Sequence, residues 1–158
     1  MKALIHRYAP RALVNFAWNL ASDLQELPVR FSDPRPRPWR MMYNVGGGDF
    51  YETGDRFFDS FRDAVDLKTD DHVLDLGCGV GRLARPICAY LGEAGRYTGF
   101  DISEKALTYA RKTVSGACQM AFHHADLANG EYRTTGASAQ SYRFPAEDAS
   151  VDAALATS

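Results

Sequence analysis

The sequence predicts an α/β fold built on a parallel sheet with flanking helices. Two observations carry the prediction. From residue 72 onward, short apolar runs alternate with segments of helical spacing: strand 72–76, helix 81–92, strand 96–100, helix 103–114, strand 119–124, and a strand from 150 to the end. Strands separated by helices at this spacing pair in parallel through right-handed crossovers. The second observation is the segment HVLDLGCGVGRLA, residues 72–84. Its apolar run ends in Asp75 and breaks into a loop with glycine at positions 77, 79 and 81, after which a helix is expected to open at once. Glycines let a backbone approach a ligand closely, and a helix N-terminus offers N–H groups to it.

Upstream of the sheet, Leu13, Phe16, Ala17, Leu20, Leu24 and Leu27 recur at helical spacing, so residues 11–27 read as an amphipathic helix ended by Pro28. Residues 28–40 hold four prolines and four arginines and read as an extended, solvated linker. The same basic cluster could meet an acidic substrate or partner, a rarer use of such a run. VGGGDF, residues 45–50, is a turn, and Phe50, Phe57, Phe58, Phe61, Ala64 and Val65 mark a second amphipathic helix over 50–66. LKTDD leads into the first strand, Ser103 is a good N-cap, and 128–149 is a long polar stretch. Two domains follow: an N-terminal helical cap with its Pro/Arg-rich linker over 1–68, and a ligand-binding α/β domain over 69–158.

The glycine loop admits two cofactors. GVGRLA (79–84) fits the dinucleotide pattern GxGxxA, and Asp101 lies 20 residues beyond Gly81. Asp101 ends the second strand, where a carboxylate accepts both hydroxyls of a ribose. Asp75, directly before the glycines, separates the two readings. A pyrophosphate would be repelled by a carboxylate there, whereas the ammonium of a methionine moiety would be attracted.

The wider pattern resembles the class I S-adenosylmethionine-dependent methyltransferases. VLDLGCGVGRLA is similar to their first motif, YTGFDIS (97–103) to the second, HHADL (123–127) to the third, and FPAEDASVDAALATS (144–158) to the approach and start of the fourth. The resemblance covers roughly residues 70–158 and implies a Rossmann-like sheet of seven strands with helices on both faces, of which the first four strands are present. It implies S-adenosylmethionine as cofactor. Gly77, Cys78, Gly79 and Gly81 would form the loop under its methionine part. Asp75 would help hold its amino group, and Asp101 its ribose. By resemblance alone, Ile102 would pack on the adenine, Asp126 would accept from the adenine N6 amine, and Leu127 would supply the adjacent backbone N–H.

Each residue has a plainer role to weigh. Asp126 could be an ordinary loop acid. Cys78 has no base beside it in sequence and reads as a space-filler in the loop, not a nucleophile. His123 and His124 are adjacent, point to opposite sides of a strand and read as structural. Glu147 and Asp148 look like a turn. Tyr43 and Tyr51 are candidates for acceptor or lid contacts, with simple packing the weightier alternative. No catalytic base and no metal site are assigned.

Composition narrows the partners. The 158 residues carry a net charge of −2 with 46% hydrophobic residues, enough for a packed core and without the charge excess of a nucleic-acid or membrane binder. No run approaches the roughly 18 apolar residues of a membrane span. Cysteines 78, 88 and 118 lack paired spacing and are expected as reduced thiols in the cytoplasm. The final strand would lie at an open edge, so the chain is expected either to be a fragment or to pair with a partner chain or second copy. Three functions are carried forward: methyl transfer to a small-molecule or glycan acceptor, an NAD(P)-dependent oxidoreductase, and a non-catalytic fragment that binds cofactor or partner.

Overall fold

The computed structural model describes residues 10–43, 46–127, 136–138, 140, 142–144 and 146–157. Residues 1–9, 44 and 45, much of the polar stretch 128–149, Pro145 of the fourth motif, and Ser158 lie outside them. The chain divides into two compact units, 1–47 and 48–158. The expected cap boundary at residue 68 therefore falls inside the second unit.

In that unit, helix α4 (Phe50–Val65) precedes strand β1 (His72–Leu76). Helix α5 (Ala84–Tyr90), strand β2 (Arg96–Asp101), helix α6 (Glu104–Thr113), strand β3 (Gln119–His124) and strand β4 (Ala153–Ala156) follow in order. All strand pairs are parallel, in the spatial order β3-β2-β1-β4. Asp75 lies opposite Gly99 on β2 and Leu155 on β4.

The two faces of the sheet are covered differently. Val73, Tyr97, Ala153 and Leu155 point to one face and join Phe58 of α4, Ile87 and Cys88 of α5, and Leu107 of α6 in one core. Full burial of a side chain such as Phe58 or Ile87 contributes about 1.5–3 kcal/mol. On the opposite face, Leu74 and Phe100 pack with Ala125, Tyr142 and Val151, which belong to the connection between β3 and β4. His72, also on that face, is pinned by Thr98 Oγ1 at 2.8 Å and the Ser150 carbonyl at 2.7 Å. Among the described residues all three helices of this unit contribute to the first face, and the loop that carries the chain from β3 across to β4 contributes to the second.

Local signals account for the helix ends. Asp49 caps α4 by accepting from the N–H groups of Tyr51 and Glu52. Ser103 caps α6 as expected, accepting from Ala106 N–H. Helix α5 differs: it begins at Ala84, three residues later than the sequence suggests, because residues 79–83 continue as turns.

The unit 1–47 departs further from expectation. Helix α1 (Arg11–Gln25) gives way to helix α2 (Leu27–Ser32), and helix α3 (Arg40–Tyr43) follows. Pro28 lies in the first turn of α2, where its missing N–H costs nothing, so it starts a second helix where the sequence predicted an extended chain. The arginines of 28–40 are not a solvated run. Arg30 donates to the carbonyls of Arg37 and Pro38 at 2.8 and 2.7 Å and lies over the Trp39 ring. Arg35 and Arg37 both bind Asp33, whose carboxyl they hold well below the usual range. Arg40 binds Glu26. Asp23, 2% exposed, accepts from the N–H groups of Arg40 and Met41 and so caps α3. The apolar stripe Leu13, Phe16, Leu20 and Leu24 is exposed.

Asp23→Ala leaves two N–H groups of α3 without that acceptor and costs about 1–3 kcal/mol locally. Amide hydrogen exchange should speed up at residues 40–43 while β1–β3 stay protected. Unchanged exchange at Arg40 and Met41 would refute the capping role.

Candidate cofactor site

The carboxyl ends of β1, β2 and β4 meet on one edge of the sheet. From β1 the chain moves to β2 and β3 on one side and to β4 on the other. Such a switch of direction opens a crevice above the strand ends, where α/β sheets bind ligands. Gly77 sits at that crevice: a Cβ on it would lie 3.9 Å from the Thr157 carbonyl, just past β4.

The loop after β1 is tied to the end of β2. The N–H groups of Gly77 and Cys78 both donate to the Phe100 carbonyl, at 2.9 and 3.1 Å. Gly79 N–H donates to Asp101 Oδ2 at 2.9 Å, and Ser103 N–H donates to Asp101 Oδ1 at 2.8 Å. Each oxygen of Asp101 keeps a second lone pair for a ligand hydroxyl.

The three glycines serve different ends, although all have positive φ, 79°, 53° and 82° in order. Gly77 is exposed and Gly79 half-buried, the latter beside Asp101. Gly81 is buried and turned inward: a Cβ there would meet Val114 Cγ2 at 2.7 Å and Ala110 Cβ at 3.3 Å. It lets the loop pack on α6. The expectation that all three lie under a cofactor therefore fits Gly77 and Gly79 better than Gly81. With α5 starting at Ala84, the loop and not the first turn of a helix adjoins the crevice.

Asp75 is 1% exposed. Its Oδ2 accepts from the Tyr97 hydroxyl at 2.6 Å, while its Oδ1 is buried with no hydrogen-bond partner among the described residues. Burial pushes its pKa up to about 6, against the stabilising Tyr97 hydroxyl. Cys78 folds over Gly99, where a Cβ would meet its Sγ at 2.8 Å. Burial pushes the Cys78 thiol far up, so it stays protonated and fills space. The orphaned oxygen of Asp75 and the two open glycines fit a ligand with a cationic end lying along the loop.

Ile102 and Leu127 are half-buried against the Leu74–Phe100–Ala125 cluster and supply an apolar wall. Asp126 is exposed, and its carbonyl accepts from Ala137 N–H at 2.8 Å. Leu127 N–H turns back to the Ala125 carbonyl at 2.8 Å, so that donor is already used within the loop. His124 Nε2 lies 3.1 Å from the Ile102 carbonyl, consistent with a structural role. Tyr51 is buried within α4 under the Arg85 guanidinium, 4.4 Å from its ring centroid, which is packing. Tyr43 ends α3 in the other unit.

Three residues at the site escaped the sequence reading. Tyr97 and Gly99 entered that reading only as members of the strand 96–100 and of the motif YTGFDIS. Gly54 sits inside α4, where a Cβ would lie 2.6 Å from the Arg82 carbonyl, so it lets α4 press on the glycine loop. A glycine in a helix interior was the available signal.

Gly81→Ala should cost about 1–3 kcal/mol in urea unfolding, through overpacking against Val114 on top of backbone strain. Gly77→Ala meets only ordinary contact and should cost about 1–2 kcal/mol from its left-handed backbone alone. Equal or reversed costs would contradict these placements.

A family model described as a methyltransferase domain matches residues 73–158, more than half of the chain. The 23S rRNA (uracil(1939)-C(5))-methyltransferase RlmD of Acinetobacter baylyi is 33% identical over 65 residues, which are 41% of this chain and 13% of that protein. The chain thus spans a small part of that curated relative. Among solved structures, a protein-L-isoaspartate O-methyltransferase aligns at 20% identity and TM-score 0.39, over 46% of this chain and 27% of its own. Coclaurine N-methyltransferase bound to N-methylheliamine and SAH aligns at 20% identity and TM-score 0.36, over 49% and 25%. These two likenesses are too slight to carry an argument. The match over 73–158 suffices: the chain belongs to the methyltransferase domain family, whose cofactor is S-adenosylmethionine.

Proposed function

We propose that the chain binds S-adenosylmethionine at the β1–β2 edge and serves methyl transfer to a small-molecule or glycan acceptor. The observation that carries this reading is the pairing of two carboxylates around one glycine loop. Asp101 is exposed enough to reach a ligand and is held by two backbone N–H groups, while Asp75 is buried beneath the loop with an oxygen to spare. In this reading Gly77, Cys78 and Gly79 form the floor for the methionine part, with Gly81 anchoring that floor to α6. Asp75 attracts the ammonium, and Asp101 accepts from the ribose hydroxyls. Ile102 and Leu127 pack on the adenine, and the Asp126 carboxylate accepts from its N6 amine.

The bound cofactor supplies a methyl group already activated on a sulfonium. The chain's residues then have to hold the ligand in one orientation and keep water off the loop. A general base is required only by an acceptor that arrives protonated, and no residue here is assigned that task. The small-molecule or glycan acceptor rests on the net charge of −2, which suits a neutral acceptor better than a polyanion. An RNA acceptor, named for the curated relative, is the competing class. The three thiols are buried and free, which fits a reducing compartment such as the cytoplasm. No helix among the described residues is long and apolar enough to cross a membrane. A dinucleotide is disfavoured because its pyrophosphate would lie over buried Asp75.

Calorimetric titration with S-adenosylhomocysteine tests the reading, alongside Asp101→Ala checked for folding by circular dichroism. The wild-type chain should bind saturably, and the variant should bind about 10–100-fold more weakly, the effect of losing charge-assisted hydrogen bonds. Binding of NADH without S-adenosylhomocysteine would favour the oxidoreductase. Binding of neither by a folded chain would favour a non-catalytic role.

A further inference from the structure

Asp75, at the end of β1 beneath the glycine loop, is 1% exposed, yet only one of its carboxylate oxygens is paired among the described residues. An unpaired carboxylate oxygen out of water is costly, and nothing inside the core relieves it. The group that holds the other oxygen is itself immobile. Tyr97 is fully buried, its ring rests against Phe122 at 5.5 Å, and Cys78 packs beside it. Its hydroxyl therefore fixes which way the Asp75 carboxylate turns. The titratable groups around Asp75 are Tyr97 and Asp101 on β2, Cys78 on the loop and Cys88 on α5. The other elements of this core present carbon: Phe58 from α4, Leu107 from α6, Leu155 from β4. Among the described residues, burial, the Tyr97 hydroxyl and the Asp101 charge set the balance at Asp75.

We propose that Tyr97 is a positioning residue for the cofactor: by holding one oxygen of Asp75 it reserves the other for the ammonium of an S-adenosyl ligand, and so makes binding of that ligand pH-dependent. This rests on the cofactor reading above. The sign follows from the burial of Asp75, which raises its pKa to about 6. A protonated Asp75 has no charge to offer an ammonium, so affinity falls as pH drops through that value. The Tyr97 hydroxyl stabilises the ionised form, and removing it should move the midpoint upward.

Two ligands separate positioning from mere packing. S-adenosylhomocysteine carries the ammonium; 5′-methylthioadenosine shares the adenosine but lacks it. Affinities of both are measured from pH 5 to 8 for the wild-type chain and for Tyr97→Phe. For the wild type, S-adenosylhomocysteine should weaken about tenfold between pH 7.5 and 5, and 5′-methylthioadenosine by less than about twofold. Tyr97→Phe should weaken the first ligand about tenfold at pH 7, raise its midpoint and spare the second. Equal losses for both ligands would mean that Tyr97 only packs, and would overturn the proposal. So would a wild-type affinity ratio that does not change with pH, which decides the matter even if Tyr97→Phe fails to fold. In both cases the cofactor reading stands. Failure of the folded wild type to bind either ligand overturns the cofactor reading and this proposal together.

Discussion

The carboxyl edge of the sheet at β1 and β2 is organised by the carboxylate of Asp101. Its two oxygens hold backbone N–H groups from two separate segments, Gly79 in the loop after β1 and Ser103 at the cap of α6. Charge-assisted bonds of this kind are roughly twice as strong as neutral ones. They tie the loop to the end of β2, while the expected helix N-terminus lies further on, because α5 begins only at Ala84. With Gly77 and Cys78 also tied to the Phe100 carbonyl, the loop is fixed at its middle and its start before any ligand arrives. Such preorganisation lowers the ordering cost of binding.

Asp75 works in the opposite sense. Its raised pKa means that the folded state holds the proton more tightly than the unfolded chain. Stability therefore falls as pH rises from about 4 towards about 6, by up to about 3 kcal/mol. A fold under selection for stability alone would place an apolar residue there, opposite Gly99. Burial with an unpaired oxygen is the pattern that functional sites show, and it is the basis of the cofactor role proposed for Asp75.

The unit 1–47 is organised by polar contacts to an unusual degree. Among its described residues Asp23 and Arg37 are buried, while Leu13, Phe16 and Leu24 are exposed. Proline-rich segments cannot form their own ladders of backbone bonds, so their carbonyls need outside donors. Arg30 supplies two of them, at Arg37 and Pro38. A run of arginines and prolines reads as solvated linker because composition does not reveal that Asp33 within it, and Glu26 and Asp23 up to 17 residues before Arg40, will pair with it.

Local pattern was enough for the strands β1 to β3, the caps at Ser103 and the parallel sheet, because alternation, apolar runs and capping act between residues close in sequence. It also singled out Asp75, Asp101 and the glycine loop, which the parallel pairing of β1 and β2 brings to one edge of the sheet. It could not tell the inward Gly81 from the open Gly77 and Gly79, since that depends on Ala110 of α6 and on Val114 just past its end, some 30 residues on. Nor could it find Tyr97 beneath Asp75, Gly99 beneath Cys78, or Gly54 against Arg82. Those pairings exist only once β1, β2 and α4 are packed together, because strand register and helix docking, not sequence distance, set which side chains meet.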